Sequence, residues 1–195
     1  GTTFEAFDRA QELATERGLV FVHPFDDDEI MAGAGTTGLE ILDQVSEVDA
    51  IVVPVGGGGL IGGIAAAVKQ LRPSVRVYGV EPHGAAAMRA SLDAGHAVRL
   101  QKVDTIADGL AAPMAGALTY EVVRRYVDDV VLVTDEEIAS GVRALLSRAK
   151  LLAEPAGAAA VAAVLARRLP LQAGERVVAV VSGGNVDLPK LKEML

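Results

Sequence analysis

Four short apolar runs organise the chain: Asp49–Val55, Val75–Val80, Asp129–Val133 and Arg176–Val181. They are continuous rather than alternating, which predicts strands buried on both faces. Between them the spacing turns helical. One helix is predicted after Leu60 and is ended by Pro73. Another runs over Ala85–Leu92 to Gly95, and a third over Ala115–Val127. Thr134 and Glu137 form a capping box for a helix reaching about Leu152, and an Ala-rich helix follows Glu154-Pro155-Ala156-Gly157 to Arg168. Upstream, Phe4, Phe7, Ala10, Leu13 and Ala14 share one face of a helix that Gly18 stops. A short strand is expected at Leu19–His23, a loop at Pro24–Glu29, a glycine-rich turn and lobe boundary at Gly33–Gly38, and then a helix turning Leu39, Leu42 and Val45 inward. Gln101–Pro113 has no clear period. The alternation predicts an α/β fold with a doubly wound, mostly parallel sheet and helices on both faces.

The stretch Ile51–Ile64, IVVPVGGGGLIGGI, is a buried strand, a turn of four glycines and a helix N-terminus. Bare N–H groups at Gly56, Gly57, Gly58 and Gly59, with the positive end of the helix dipole, suit an anion such as a phosphate. The plainer alternative is a tight turn with no ligand. In open parallel sheets ligands collect beyond the carboxyl ends of the strands. Gly56–Gly59, Glu81-Pro82 and Ser182–Asn185 fall at such ends, and Glu154–Gly157 falls at a helix junction, so one shared site is expected. Gly57-x-Gly59-x-x-Gly62 also satisfies the dinucleotide fingerprint, with Glu81 placed 19 residues past Gly62 for a ribose. That reading leaves Ser182–Asn185 and Glu154–Gly157 without a role.

Composition narrows the partners. A formal net charge of −8 disfavours a nucleic-acid backbone. The chain has no Cys, which excludes disulfides and thiolate metal sites. His23, His83 and His96 lack metal-ligand spacing and read as surface or loop histidines, and the acidic run Asp26–Glu29 reads as a solvated loop. No apolar run reaches the roughly 18 residues of a membrane span, and no basic, apolar leader is present, so the expected location is the cytoplasm.

Five ordered motifs carry a resemblance: VVPVGGGGLIGGIA, VYGVEP, TIADGLA, KLLAEPAGAAAVAAVL and VVSGGNVD. Their order and spacing resemble the pyridoxal-phosphate-dependent threonine dehydratases (threonine ammonia-lyases) and serine racemases of the tryptophan-synthase-like fold. HPFDDDEIMAGAGTTGLEIL resembles the segment that precedes the glycine loop in threonine dehydratases. The resemblance implies residues 1–32 as the end of a small α/β lobe and residues 33–195 as the pyridoxal-phosphate-binding large domain. It implies Gly56, Gly57, Gly58 and Gly59 on the cofactor phosphate and Ser182 on the pyridine nitrogen. Gly183, Gly184 and Asn185 would shape that turn, Gly109 would approach the ring, and Glu154 would face the pocket. Read alone, Glu154 is a helix-end carboxylate that could equally pair with Lys150. Some relatives bind a divalent cation at the positions of Glu81, the Ala85 carbonyl and an acid; here the acid is Ala87, so waters would have to complete the shell.

The implied chemistry is β-elimination and deamination of L-threonine or L-serine to a 2-oxo acid and ammonia. The resemblance does not choose between the two substrates, or between dehydratase and racemase. The family's Schiff-base lysine, in a Ser-Phe-Lys type motif, and its Ser-Ser-Gly-Asn-His carboxylate loop do not occur, so no catalytic residue is assigned here. Lys69, Lys102, Lys150, Lys190 and Lys192 are the only lysines. The expectation is a C-terminal part of such an enzyme, inactive alone, forming a homo-oligomer or associating with a missing N-terminal piece. A small amino acid is the expected partner, with no nucleic acid and no membrane. The alternatives are a Rossmann-like dinucleotide domain and a non-catalytic module that keeps only the phosphate cradle.

Overall fold

The structure, a computed structural model, describes residues 3–195, with side chains from residue 5. Four parallel strands form one sheet: β1 (Ala50–Pro54), β2 (Arg76–Pro82), β3 (Asp129–Val133) and β4 (Val177–Ala179), in the order β3-β2-β1-β4. The helices are α1 (Thr3–Arg17), α2 (Asp28–Gln44), α3 (Gly59–Leu71), α4 (Ala87–Ala94), α5 (Ala117–Tyr126), α6 (Asp135–Ala144), α7 (Pro155–Leu165) and α8 (Leu188–Met194). The parallel α/β architecture with helices on both faces is the predicted one.

β1 shows why its sequence is apolar at every position. Ile51, Val53 and Val55 enter one core with Ile61, Ile64 and Val68 of α3. Ala50 and Val52 enter the other, with Ile138 of α6 and the alanines of α7. Successive side chains point to opposite faces, so a strand covered on both sides is buried throughout. The Ala-rich α7 lies flat against the sheet because its side chains are small: Ala156, Ala158, Ala159, Ala160, Ala162 and Ala163 are all buried.

Several local expectations differ. Gly33–Gly38 is no turn, since α2 runs through it unbroken. Two of its glycines serve helix packing: a Cβ on Gly35 would lie 3.3 Å from the Gly63 carbonyl of α3 and one on Gly38 would lie 3.0 Å from the Ile64 carbonyl, while Gly33 faces open space. Leu19–His23 forms no strand. A strand needs a neighbour to satisfy its N–H and C=O groups, and nothing among the described residues pairs with this segment. Val20 is 90% exposed. The acidic run is not a solvated loop. Asp27 accepts from the N–H groups of Glu29 and Ile30 at the start of α2. Asp26 caps α5 from a distance, accepting from Ala117, Leu118 and Thr119. α6 stops at Ala144, passes into one π-helical turn over Leu145–Ala149, and leaves the helix at Lys150 with φ 58°. β4 is shorter than predicted, and α8 was not predicted. Phe7, Ala10, Leu13 and Ala14 are the partly buried face of α1 as expected, while the side chain of Phe4 lies outside those described.

Candidate active site

β1 delivers the chain to the glycine loop at the carboxyl edge of the sheet, and the Val55 N–H donates to the Val80 carbonyl at 2.8 Å. The next residues are clamped from three sides. A Cβ on Gly57 would run into the Phe25 ring, and one on Gly58 would lie 2.6 Å from the Met88 methyl. A Cβ on Gly59 would lie 2.9 Å from the Phe25 carbonyl. Gly58 has φ 97°, a left-handed conformation that side chains disfavour, and it forms the N-terminal cap of α3. Packing therefore demands these glycines. In front, no acceptor among the described residues takes the N–H groups of Gly56, Gly57 or Gly58.

Those N–H groups border a cleft of about 380 Å³. Its walls are Gly56–Leu60, Asp108–Met114, Phe7, Pro24, Phe25, Pro54 and Ser182. The sequence-predicted Gly56, Gly57, Gly58, Gly59, Gly109 and Ser182 thus share one cavity. Gly183 and Glu154 are brought together beside it. The Glu154 N–H donates to the Gly183 carbonyl at 3.1 Å, and its carboxylate accepts from the Asn185 N–H at 2.8 Å. A Cβ on Gly109 or Gly183 would meet Glu154 Oε1 at 3.2 or 2.6 Å, so the three stretches interlock. Glu154 lines an adjoining pocket of about 170 Å³ with Asp108, Asn185 and Lys190 rather than the main cleft. It does not pair with Lys150, whose Nζ donates to the Ser147 carbonyl.

Glu81 has a different task from those the sequence offered. It is fully buried, and its two oxygens accept from the Met88 and Arg89 N–H groups at 2.8 Å each. It seals the N-terminus of α4. Burial pushes its carboxyl up to about 7, against the pull of those two bonds and the Arg89 charge. A carboxylate so placed cannot reach a ribose, which removes the acid from the dinucleotide reading. The donor set also does not fit a divalent cation: both Glu81 oxygens are taken, and Ala87 offers no carboxylate. Among the described residues no cluster of three or more His, Asp or Glu is arranged for a metal.

Four contributors were invisible in the sequence. The Phe25 ring backs the glycine loop, and His23 Nδ1 accepts from the N–H groups of Phe25 and Asp26 at 3.3 and 2.8 Å. Asp26 and Thr119 tie that segment to α5. An Asp before a helical pattern is a capping signal, which could have found Asp27. No local signal pairs Asp26 with a helix some 90 residues on.

A family model described as pyridoxal-phosphate dependent enzyme matches residues 1–183. The chain belongs to that family. Its relatives include the L-threonine ammonia-lyase of Thermotoga maritima, 46% identical over 191 residues, covering 98% of this chain and 47% of that protein. The L-threonine ammonia-lyase of Geobacter sulfurreducens is 48% identical, covering 94% of this chain and 46% of the relative. The chain spans about half the length of these curated relatives. Among solved structures, maize serine racemase superposes with a TM-score of 0.90 at 38% identity, covering 99% of this chain and 60% of that one. The processed form of tomato (Solanum lycopersicum) threonine deaminase isoform 2 gives 0.89 at 39% identity, covering 94% and 54%. For a pyridoxal-phosphate-dependent enzyme, the residues present fit the cofactor: unpaired N–H groups for a phosphate, and a hydroxyl at Ser182 on the same cleft.

Proposed function

We propose that this chain supplies the cofactor-binding part of an enzyme that deaminates L-threonine or L-serine to a 2-oxo acid and ammonia. The observation that carries the reading is the single cleft uniting the open N–H groups of Gly56–Gly58 with Gly109 and Ser182. The N–H groups of Gly56, Gly57, Gly58 and Gly59, with the α3 dipole, would hold the cofactor phosphate. Gly109 offers a flat backbone wall, and the Ser182 hydroxyl would hydrogen-bond the ring nitrogen. When bound, the cofactor supplies an electron sink for loss of the substrate's Cα proton. A hydroxyl cannot hold the ring nitrogen protonated as a carboxylate does. That suffices where the β-hydroxyl leaves with the electrons. Glu154 holds Gly183 and Asn185, so it sets the position of the turn that carries Ser182.

The division into the end of a small lobe, expected at residues 1–32, and the cofactor domain, expected at residues 33–195, belongs to the same reading, with the boundary placed before α2, which runs unbroken through residues 32 and 33, and with the exposed Leu19, Val20 and Val22 in its support. So does association with a further polypeptide piece or a second copy. A small amino acid is the substrate class, and the cytoplasm is the expected compartment. No helix among the described residues is long and apolar enough to cross a membrane.

Among the described residues no lysine lines the cleft. Lys69 pairs with Asp128 and Lys102 with Asp104, Lys190 pairs with Asp108, and Lys150 is turned to Ser147. The chain by itself is therefore expected to bind the cofactor without turnover. The test is a titration of the purified chain with pyridoxal 5′-phosphate and with NAD, read by absorbance and melting temperature, followed by an assay for 2-oxo acid from L-threonine and L-serine. Saturable binding of pyridoxal 5′-phosphate, a smaller shift with NAD and no turnover above the free cofactor are expected. A larger NAD shift overturns the reading. Turnover lost in Lys150→Ala overturns the statement about lysine.

A further inference from the structure

Thr119 belongs to none of the motifs, yet it is fully buried directly behind the glycine loop. Its hydroxyl lies 2.7 Å from the Gly57 carbonyl and 3.3 Å from that of Gly116. A hydroxyl has one proton, and the shorter contact to Gly57 is the one that takes it. The peptide joining Gly57 to Gly58 is trans, so its C=O and N–H point in opposite directions. A carbonyl drawn back toward Thr119 sends the Gly58 N–H the other way. Thr119 is not part of the cleft wall, whereas Gly57 and Gly58 are.

This orientation is not guaranteed by the loop itself. Glycines on both sides of a peptide tolerate positive and negative φ alike, so the torsions themselves do not fix the unit. The Gly116 N–H also reaches the Gly57 carbonyl, but at 3.5 Å, a longer contact than that of Thr119. In the rotated state a carbonyl oxygen would face the cleft and repel an anion. We propose that Thr119 is a positioning residue for the anion cradle: its hydroxyl pins the Gly57 carbonyl to α5 and so turns the Gly58 N–H into the cleft. The inference rests on the reading of that cleft as a phosphate site. Thr119 is itself held, because its N–H donates to Asp26 Oδ1 at 3.0 Å. The line of contacts runs from Asp26 through Thr119 and Gly57 to the Gly58 N–H.

The experiment compares the full chain with Thr119→Val, which replaces the hydroxyl by a methyl, and Thr119→Ser, which restores it. Affinity is measured for pyridoxal 5′-phosphate, for inorganic phosphate and for pyridoxal, which lacks the phosphate. Thr119→Val is expected to weaken both phosphate ligands about tenfold, as for loss of one well-placed donor, with pyridoxal unchanged and Thr119→Ser near the wild type. A merely structural role would weaken all three ligands together, and that result overturns the proposal. So does wild-type affinity for inorganic phosphate in Thr119→Val. A second measurement needs no variant: on adding inorganic phosphate to the wild type, the Gly58 amide resonance must shift. Shifts at Gly57 and Gly59 with Gly58 unmoved overturn the proposal even where Thr119→Val does not fold. A wild type that binds inorganic phosphate but not pyridoxal 5′-phosphate refutes the proposed function alone, and Thr119 is then judged on inorganic phosphate. A wild type that binds neither refutes both.

Discussion

β1–α3 and β2–α4 are neighbouring strand–turn–helix units whose turns fall at the same edge of the sheet, yet their helix N-termini are treated in opposite ways. At α3 the chain has no side chain to offer, and the N–H groups open on a cleft. At α4 the N–H groups of Met88 and Arg89 are taken by the buried carboxyl of Glu81. α2 and α5 are sealed by the carboxylates of Asp27 and Asp26, and α6 by the Thr134 hydroxyl. A helix N-terminus is an anion site by construction. The side chains around it decide whether the anion comes from the protein or from a ligand.

The sharpest way to break the comparison is to close the open end. Gly58→Val forces a β-branched residue to φ 97° and places a Cβ 2.6 Å from the Met88 methyl. Binding of pyridoxal 5′-phosphate should be lost, by more than about a hundredfold, with about 1–3 kcal/mol of stability. Titration by absorbance and urea unfolding measure the two effects. Retained affinity would show that the loop's N–H groups are not the cradle.

Opening the sealed end should act on stability instead. Glu81→Ala leaves the buried Met88 N–H and the partly buried Arg89 N–H without an acceptor, a loss of about 2–4 kcal/mol in urea unfolding. Cofactor affinity of the folded variant should change far less than in Gly58→Val. An unchanged unfolding midpoint would mean that Glu81 does not cap α4.

The pH dependence follows from the same carboxyl. Its folded value of about 7 lies above the usual 4.5, so between these values the folded chain holds a proton that the unfolded chain has released. Stability contributed by Glu81 is therefore full below about 4.5 and declines as pH rises toward 7. Glu137, Glu175 and Asp104 are held below their ordinary values and act in the opposite sense at lower pH. The readout is thus the difference between wild type and Glu81→Gln, which should narrow as pH is raised from 4.5 to 7. A pH-independent difference would show that the carboxyl is not perturbed upward.

The two units were not equally legible. β1 and the glycine loop could be read because burial on both faces and the demand for missing side chains both leave local marks. β2 was found for the first reason, but the bonds that Glu81 makes could not be read. Its partners Met88 and Arg89 are seven and eight residues away across an irregular turn, and a Glu at a strand end looks the same whether it faces a ligand or a helix. The glycines of α2 were read as a turn because a packing glycine and a turn glycine are identical without knowledge of the facing helix. Leu19–His23 has strand composition, but a strand exists only where a neighbour supplies the ladder. Thr119 and Asp26 were beyond reach, since the bond between them joins residues 93 apart.

The smallest effect comes from a sealed end far from the cleft. Thr134 caps α6 by accepting from the Glu137 N–H at 3.2 Å, while Glu137 accepts from the Thr134 N–H at 2.8 Å. Glu137 also pairs with Arg168, so part of its anchoring survives loss of the hydroxyl. Thr134→Ala should therefore lower stability by about 1 kcal/mol, within the usual range for a lost cap. Neither Thr134 nor Glu137 borders the cleft, so the affinities for pyridoxal 5′-phosphate and inorganic phosphate should match the wild type. Urea unfolding and the same ligand titrations decide. A fall in phosphate affinity in Thr134→Ala would mean that general loosening of the sheet edge weakens the cradle. The losses in Gly58→Val could then no longer be assigned to the open end of α3.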